Sequence, residues 1–222
     1  MRILVTGASR GIGAEMTRQA LARGDEVVAV VRHFGSEVPQ GAERRVADVT
    51  SPEALAGLAR GLEGGAPLDL LICNAGVYEG RGRIGDPVFP ADAWARTFAA
   101  NVAGVFLTAE ALLPLMRAPG GKIAVISSRM GSNAASRSGG SYIYRASKAA
   151  ATNLASNLAL DLADRGIAVG AYHPGWVRTD MGSQSADVSR EDSAAGLLAR
   201  FDALGPETTG VFETFEGEAL TY

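Results

Sequence analysis

A doubly wound α/β fold on a parallel sheet is what this sequence predicts, and three observations carry that reading. Short β-branched apolar runs alternate with longer Ala/Leu/Arg-rich stretches of helical spacing along the 222 residues. Most of the apolar runs are continuous, as strands covered on both faces should be. The long loops, at about 32–43, 74–90, 128–141 and 173–188, all follow strands. In an open α/β sheet that edge is where ligands bind.

The elements follow in order. A strand at 2–6 leads through a glycine turn into a helix at 12–23, and strands at 26–31 and 44–47 come next. A helix at 52–62 opens at Pro52, a residue suited to a first helical turn, and the strand 68–73 contains the apolar run Leu70-Leu71-Ile72. The helix 91–117 opens after Pro90, and the strand 121–127 follows it. The helix 142–165, the strand 167–172, a helix 189–204 and a strand 210–215 close the chain, the last helix starting at Ser189 with Asp192 in its first turn. About seven parallel strands result, with helices on both faces and every crossover right-handed and helical. Gly64-Gly65 and Gly139-Gly140 mark exposed turns, but no repeat or boundary-length linker intervenes, so 1–222 reads as one domain.

Composition excludes several classes. At 47% hydrophobic and 20% charged, the chain has material for a large core and no disorder signature. Net charge is −3, and the 19 Arg and 2 Lys are spread along the chain, which leaves no basic footprint for nucleic acid. The longest apolar stretches, such as 104–116 with Glu110 and Pro114 inside, fall short of a bilayer span, so no membrane partner is expected. Met1 to Gly7 runs straight into a strand without a secretory leader, which gives a cytoplasmic address. The lone Cys73 allows neither an internal disulfide nor a cysteine-rich metal site and reads as a small buried residue; no metal is expected.

The turn Gly7-Ala8-Ser9-Arg10-Gly11-Ile12-Gly13 sits between the first strand and the first helix. Glycines there permit a tight turn and close backbone approach, while the new helix offers free N–H groups and its positive dipole end to a pyrophosphate. The same residues satisfy the G-x-S-x-G pattern of a hydrolase nucleophile elbow, with Ser9 as nucleophile and Asp161 or Asp164 and His173 to complete a triad. That elbow belongs in mid-sheet, whereas one strand precedes Ser9, so His173 and His33 read as structural or solvated.

Tyr144 and Lys148 form a Tyr-x-x-x-Lys pair near the start of the helix 142–165. An i, i+4 spacing places both on one helical face. With two lysines in the chain, roughly 5% of shuffled sequences would contain such a pair. A free phenol has a pKa near 10, and a nearby ammonium draws it toward working pH, where it serves as general acid or base.

Together these motifs resemble the short-chain dehydrogenase/reductase family, in its compact single-domain branch with a Rossmann-type sheet, over nearly the full length. The resemblance is carried by Thr6 to Gly13, Asp48-Val49, Asn74-Ala75-Gly76, Asn101-Val102, Ile126-Ser127-Ser128, Tyr144 with Lys148, and Pro174 to Thr179. The segments 127–132, 139–145 and His173 to Met181 look like the C-factor-type subgroup, related to small carbonyl reductases. It implies a catalytic tetrad. Tyr144 would be the acid/base residue, Ser128 would hydrogen-bond the substrate carbonyl, and Lys148 would hold the nicotinamide ribose and lower the Tyr144 pKa. Asn101 would keep a water in line with Lys148. Ser128 to Tyr144 is 16 residues, a few more than is common in the family, so the loop 131–141 must bulge.

The resemblance further assigns the nicotinamide cofactor to Gly7, Ser9, Arg10, Gly11, Ile12 and Gly13 in the turn and to Tyr144 and Lys148 on the helix. Asp48 would take the adenine amino group beside Val49; Asn74, Ala75 and Gly76 would line the adenosine ribose. Pro174, Gly175, Val177 and Thr179 would flank the nicotinamide, with Thr179 and the Val177 backbone on its carboxamide. Asp48 as a cap of the helix near Pro52 is the plain alternative. The second strand ends at Val31 with Arg32 next, so no carboxylate stands where NAD-binding members place one. Arg10 and Arg32 could clamp a 2′-phosphate, which predicts NADP(H) over NAD(H).

The short segment between Thr179 and Ser189 predicts an open, shallow substrate site, with Met130, Tyr142, Trp176 and Met181 as candidate lining for a small carbonyl or alcohol. Family members usually assemble through helices corresponding to 91–117 and 142–165 or through the last helix and strand, which implies a homodimer or homotetramer. The function so read is NADPH-dependent carbonyl reduction. A signalling or redox-sensing NADP-binding protein is the alternative. The Arg-over-Lys bias and Ala/Gly richness suggest a GC-rich bacterial source.

Overall fold

The computed structural model describes residues 1–182 and 185–222. Its elements are β1 (Arg2–Thr6), α1 (Gly11–Ala22), β2 (Glu26–Val31), β3 (Glu43–Val46), α2 (Pro52–Arg60) and β4 (Leu70–Cys73). They continue with α3 (Ala91–Phe98), a π-helical segment (Ala99–Ala103), α4 (Gly104–Leu112), β5 (Lys122–Ile126), α5 (Tyr142–Asp161), β6 (Ala168–His173), α6 (Arg190–Ala203) and β7 (Phe212–Thr214). The seven strands make one sheet in the order β3-β2-β1-β4-β5-β6-β7, and every neighbouring pair is parallel.

Strand alternation explains why continuous apolar runs were needed. Leu4, Val28, Val30, Leu71, Ile123, Val125 and Val169 pack into one core with Leu55, Leu58, Val105, Leu112, Ala151 and Ala155, from α2, α4 and α5. Their strand neighbours Ile3, Val5, Val27, Ala29, Ile72 and Ala124 pack into a second core with Met16, Leu197 and Phe201, from α1 and α6. The sheet is therefore covered on both faces, as parallel sheets are. The chain leaves β1 for β2 on one side and later adds β4 on the other, so strand order reverses between β1 and β4. That switch point is where a crevice opens at the carboxyl edge.

Two expectations and one alternative reading need correction. β2 reaches β3 through the loop 32–43 with no helix, because Gly35, Pro39 and Gly41 break any helical stripe there. In consequence β3 is a polar edge strand, not an apolar one. Ser51, and not Asp48, caps α2: its hydroxyl accepts the Ala54 N–H at 3.1 Å. Finally, α3, the π segment, α4 and a closing 3₁₀ turn form one 25-residue helix, Ala91–Leu115, long and apolar enough by length and composition to cross a membrane. Counting uninterrupted apolar residues missed it. Here its apolar character has a local account, since Val105, Ala109 and Leu112 sit in the first core.

Candidate active site

The glycine turn is held from below by the end of β4. Thr6 Oγ1 accepts the N–H groups of Asn74 (3.0 Å) and Ala75 (3.1 Å) and donates to the Ile72 carbonyl (3.3 Å). The Asn74 side-chain amide donates to the carbonyls of Thr6 (2.9 Å) and Gly7 (3.2 Å). Gly7 has φ +68, a left-handed conformation that favours glycine. Gly13 is needed for closeness: a Cβ there would lie 2.4 Å from both the Asn74 Nδ2 and the Gly7 oxygen. Asn74 is thereby a brace for the turn, where the resemblance had it lining the adenosine ribose. α1 opens above the brace with Arg10 at its N-cap and no side-chain cap, whereas α2 and α6 are capped by Ser51 and Ser189. The turn thus presents backbone donors without a capping side chain, and this donor set fits a pyrophosphate.

Asn101, Ser128, Tyr144 and Lys148 are all buried. Ser128 follows β5 and caps a 3₁₀ turn, accepting the Met130 N–H at 3.1 Å, and its hydroxyl is close enough to the Tyr144 phenol to favour the ionised form. Lys148, one turn beyond Tyr144 on α5, donates Nζ to the Ile126 carbonyl at 2.7 Å and sits 5.7 Å from the centre of the Tyr144 ring. A Cβ on Gly76 would lie 3.0 Å from Asn101 Oδ1 and 3.7 Å from Lys148 Nζ, so a glycine is what lets the loop after β4 lie over both. Asn101 comes from the π-helical segment, and its side chain is fully engaged. It accepts the Val77 N–H (2.8 Å) and donates to the Val77 carbonyl (2.9 Å) and Ser147 Oγ (3.0 Å).

Electrostatics of the pair differ from the sequence expectation. Burial pushes the Tyr144 phenol up to about 12, outweighing the Ser128 hydroxyl and the Arg81 charge, which pull it down. Burial also pushes the Lys148 ammonium down to about 8. In the ligand-free chain the phenol is therefore protonated at neutral pH. Cys73 is buried, with its thiol pushed up to about 12, which suits an inert core residue.

Around this centre the other sequence-derived residues are dispersed along the sheet edge. Arg10 is exposed and pairs with Asp180 at 3.0 Å, which links the glycine turn to the loop after β6. Arg32 Nε faces His33 Nε2 at 2.9 Å. Asp48 Oδ1 accepts the Thr50 N–H (2.9 Å) and hydroxyl (2.8 Å), and these bonds hold its carboxyl below the ordinary range, helped by the Arg32 charge. Val49 packs against Gly104, where a Cβ would come within 2.9 Å. The Thr179 hydroxyl donates to the Val177 carbonyl (3.4 Å) and accepts the Gly182 N–H (3.0 Å). Its methyl lies over Gly11, 3.6 Å from where a Cβ would be. Val177 is buried, the Pro174 carbonyl takes the Ser193 hydroxyl at 2.6 Å, and Gly175 has φ +87. Ser9 and Ile12 flank the turn, Ser9 exposed and Ile12 half-buried.

Of the candidate lining, Tyr142 packs edge-on to Phe89 (5.4 Å), and Trp176 is half exposed with Nε1 donating to the Gly182 carbonyl (2.8 Å). The bulge at 131–141 is held by Arg145, which donates to the Ser136 and Ser138 hydroxyls at 3.2 Å each. The loop 173–188 contains residues 183 and 184, outside the described residues. The hydrolase constellation does not assemble: Asp161 ends α5 and Asp164 follows it, at the sheet edge opposite Ser9.

Sequence reasoning missed two residues at the centre. Tyr78 stacks on Tyr144 with ring centres 4.1 Å apart and planes 16° apart, and its hydroxyl is 2.8 Å from Ser141 Oγ. The Arg81 guanidinium lies over the Tyr78 ring at 4.3 Å. An aromatic residue in the long loop after β4 was the available signal, but nothing local pairs it with Tyr144.

Comparison with known proteins agrees with this geometry. The short chain dehydrogenase family model matches residues 1–189. The chain is 36% identical over 228 aligned residues to 1-hydroxy-2-glutathionyl-2-methyl-3-butene dehydrogenase from Rhodococcus sp., covering 99% of each chain. It is 41% identical over 157 residues to C-signal of Myxococcus xanthus, covering 70% of this chain and 93% of that one. NADPH-bound carbonyl reductase from chicken fatty liver superposes with a TM-score of 0.90 at 28% identity, over 100% of this chain and 98% of the other. A Rossmann-like parallel sheet, a matching family model and relatives aligned over most of their length lead to one conclusion: the chain belongs to the short-chain dehydrogenase/reductase family, with C-factor-like and carbonyl-reductase-like relatives.

Proposed function

We propose that this oxidoreductase reduces a small carbonyl compound to an alcohol with NADPH, using Tyr144 as general acid. One observation carries the reading: Ser128, Tyr144, Lys148 and Asn101 are buried together at the switch point, next to an uncapped glycine turn. When bound, the cofactor supplies hydride to the carbonyl carbon. Tyr144, protonated at neutral pH, gives its proton to the carbonyl oxygen as charge develops there. The Ser128 Oγ accepts from the Met130 N–H, which leaves its own O–H to donate to that oxygen. Lys148 sits behind the phenol, anchored at Ile126, where a cationic side chain stabilises the phenolate left after transfer and can hold ribose hydroxyls. Asn101, locked to Val77 and Ser147, fixes the loop after β4 across the site, and water relay through it would require those bonds to open.

For NADPH over NADH the support is charge. β2 ends without a carboxylate, and Arg10 and Arg32 stand exposed at that edge, Arg32 without an ion-pair partner among the described residues. Asp48 and Val49, and the residues from Pro174 to Thr179, take the adenine and nicotinamide ends in this reading. It also takes 1–222 as one nicotinamide-binding domain, cytoplasmic, with no nucleic-acid or membrane partner. Assembly as a homodimer or homotetramer is supported by the exposed Trp94, Phe106 and Leu160 on α3, α4 and α5. The likeness to C-signal favours a second reading, a signalling protein that binds the cofactor with incidental turnover.

The test follows nicotinamide absorbance with NADPH and a panel of aldehydes, ketones and quinones, beside a Tyr144→Phe control. Turnover abolished in the control supports the reductase; cofactor binding without turnover across the panel favours the second reading. No binding at all would overturn both.

A further inference from the structure

We infer that Arg81 is a substrate-recognition residue of this site and that the carbonyl compound it serves carries a carboxylate. The inference deepens the reductase reading and rests on it. Tyr144, Tyr78 and Arg81 form a stack in which each step is short, 4.1 Å between the rings and 4.3 Å from ring to guanidinium. The guanidinium is also tied across the mouth, donating Nη2 to the carbonyl of Met181 in the loop after β6. A cation is therefore held two stacking distances from the acid/base phenol, between the two loops that border the site.

Its pairing sets it apart from three other arginines at this edge of the sheet. Arg10, Arg96 and Arg129 each hold a carboxylate, Asp180, Glu79 and Glu218 respectively. Arg81 holds none among the described residues. Five N–H donors belong to a guanidinium, and one bond to a carbonyl leaves enough for a two-point contact with a planar carboxylate. Arg145, on α5, repeats the pattern. The start of α5 meets the loop of Arg81 where the Ser141 N–H donates to the Gly82 carbonyl at 2.9 Å, and the Arg145 guanidinium is bonded to hydroxyls and a carbonyl alone. Among the described residues, Arg81 and Arg145 thus stand without a carboxylate partner on one rim, beside the acid/base phenol. Such a rim attracts anions from a distance, and the one guanidinium stacked into the centre is placed to fix them.

Two aldehydes of one shape test this, 4-carboxybenzaldehyde and its methyl ester, each reduced with NADPH by the full chain. The acid should be preferred in kcat/KM by roughly tenfold or more, the range of a charge-assisted contact, and the preference should shrink as salt rises. Arg81→Met should bring the ratio close to one, Arg81→Lys should restore part of it, and Arg165→Ala, remote at the end of α5, should leave it as in the parent. NADPH binding by each variant confirms that the fold persists. An ester turned over as well as the acid, or an Arg81→Met ratio equal to the parent's, would overturn the inference while the reductase reading stands. Failure to reduce either aldehyde, with the wider panel also unreactive, would remove both.

Discussion

Gly13→Ala puts the turn to a quantitative test. A methyl group at this position meets the Gly7 oxygen and the Asn74 Nδ2 at 2.4 Å, well inside contact distance, so the turn must shift. Forced repacking of this kind costs about 1–3 kcal/mol. The shift also loosens the two Asn74 bonds, to Thr6 at 2.9 Å and Gly7 at 3.2 Å. Those bonds contribute about 1 kcal/mol each, so Gly13→Ala should destabilise the chain by roughly 3 kcal/mol in total. Asn74→Ala loses the bonds alone and should cost about 2 kcal/mol. The two changes act on one contact, so the double variant should fall short of the sum by about 1 kcal/mol. Urea unfolding measures the stabilities, and fluorescence titration should show NADPH affinity falling at least about tenfold in Gly13→Ala as the phosphate turn moves. A Gly13→Ala chain within about 0.5 kcal/mol of the parent, or a strictly additive double variant, would refute the brace.

His173, at the end of β6, is half-buried with Nδ1 buried and unpartnered, and burial together with the Arg129 charge pushes it down to about 4. Unfolded it titrates near 6.5, so the unfolded chain binds the extra proton as pH falls and stability is lost between pH 6.5 and 4, by about 3 kcal/mol in all. His173→Asn should flatten that part of the urea-midpoint profile; an unchanged profile would refute the assignment. Arg32→Asp should move the NADPH-to-NADH ratio of kcat/KM toward NADH by tenfold or more, as expected for replacing an attractive charge by a repulsive one; an unmoved ratio would exclude Arg32 from the 2′-phosphate site.

What could be read from the sequence was what local spacing encodes. Gly7 to Gly13 and the Tyr144–Lys148 pair are signals within one turn or one helical face, and the structure places them at one sheet edge. The uncapped start of α1 follows from the same stretch. Burial was less accessible: Lys148 was expected to lower the phenol, but desolvation of Tyr144 depends on what the fold lays over it, and that is Tyr78. Tyr78 and Arg81 reach the centre only because β4 neighbours β5 in the sheet, a long-range fact. Asn74 lay in a recognised motif, yet its bonds to Thr6 and Gly7 depend on β1 and β4 being adjacent. The missing helix between β2 and β3 was legible in Gly35, Pro39 and Gly41 and was overridden by a general rule about crossovers.

The π-helical segment at Ala99–Ala103 makes the site sensitive to chain length at Ala99 and Ala100, whose own side chains carry no polar contact. Such a segment is an α-helix carrying one surplus residue, and the surplus resets the phase of everything beyond it by about 100°. Ahead of it, Ala93 and Thr97 are buried; after it, Val105, Ala109 and Leu112 are. Deleting Ala99 or Ala100 would return the helix to regular phase, and one of these two buried sets, or Asn101 itself, would have to rotate away from its partners. Small side chains exchanged at the same positions keep the phase. Among homologous sequences a one-residue gap here would therefore signal a rebuilt site, where exchanges of one small residue for another at 99 and 100 would not.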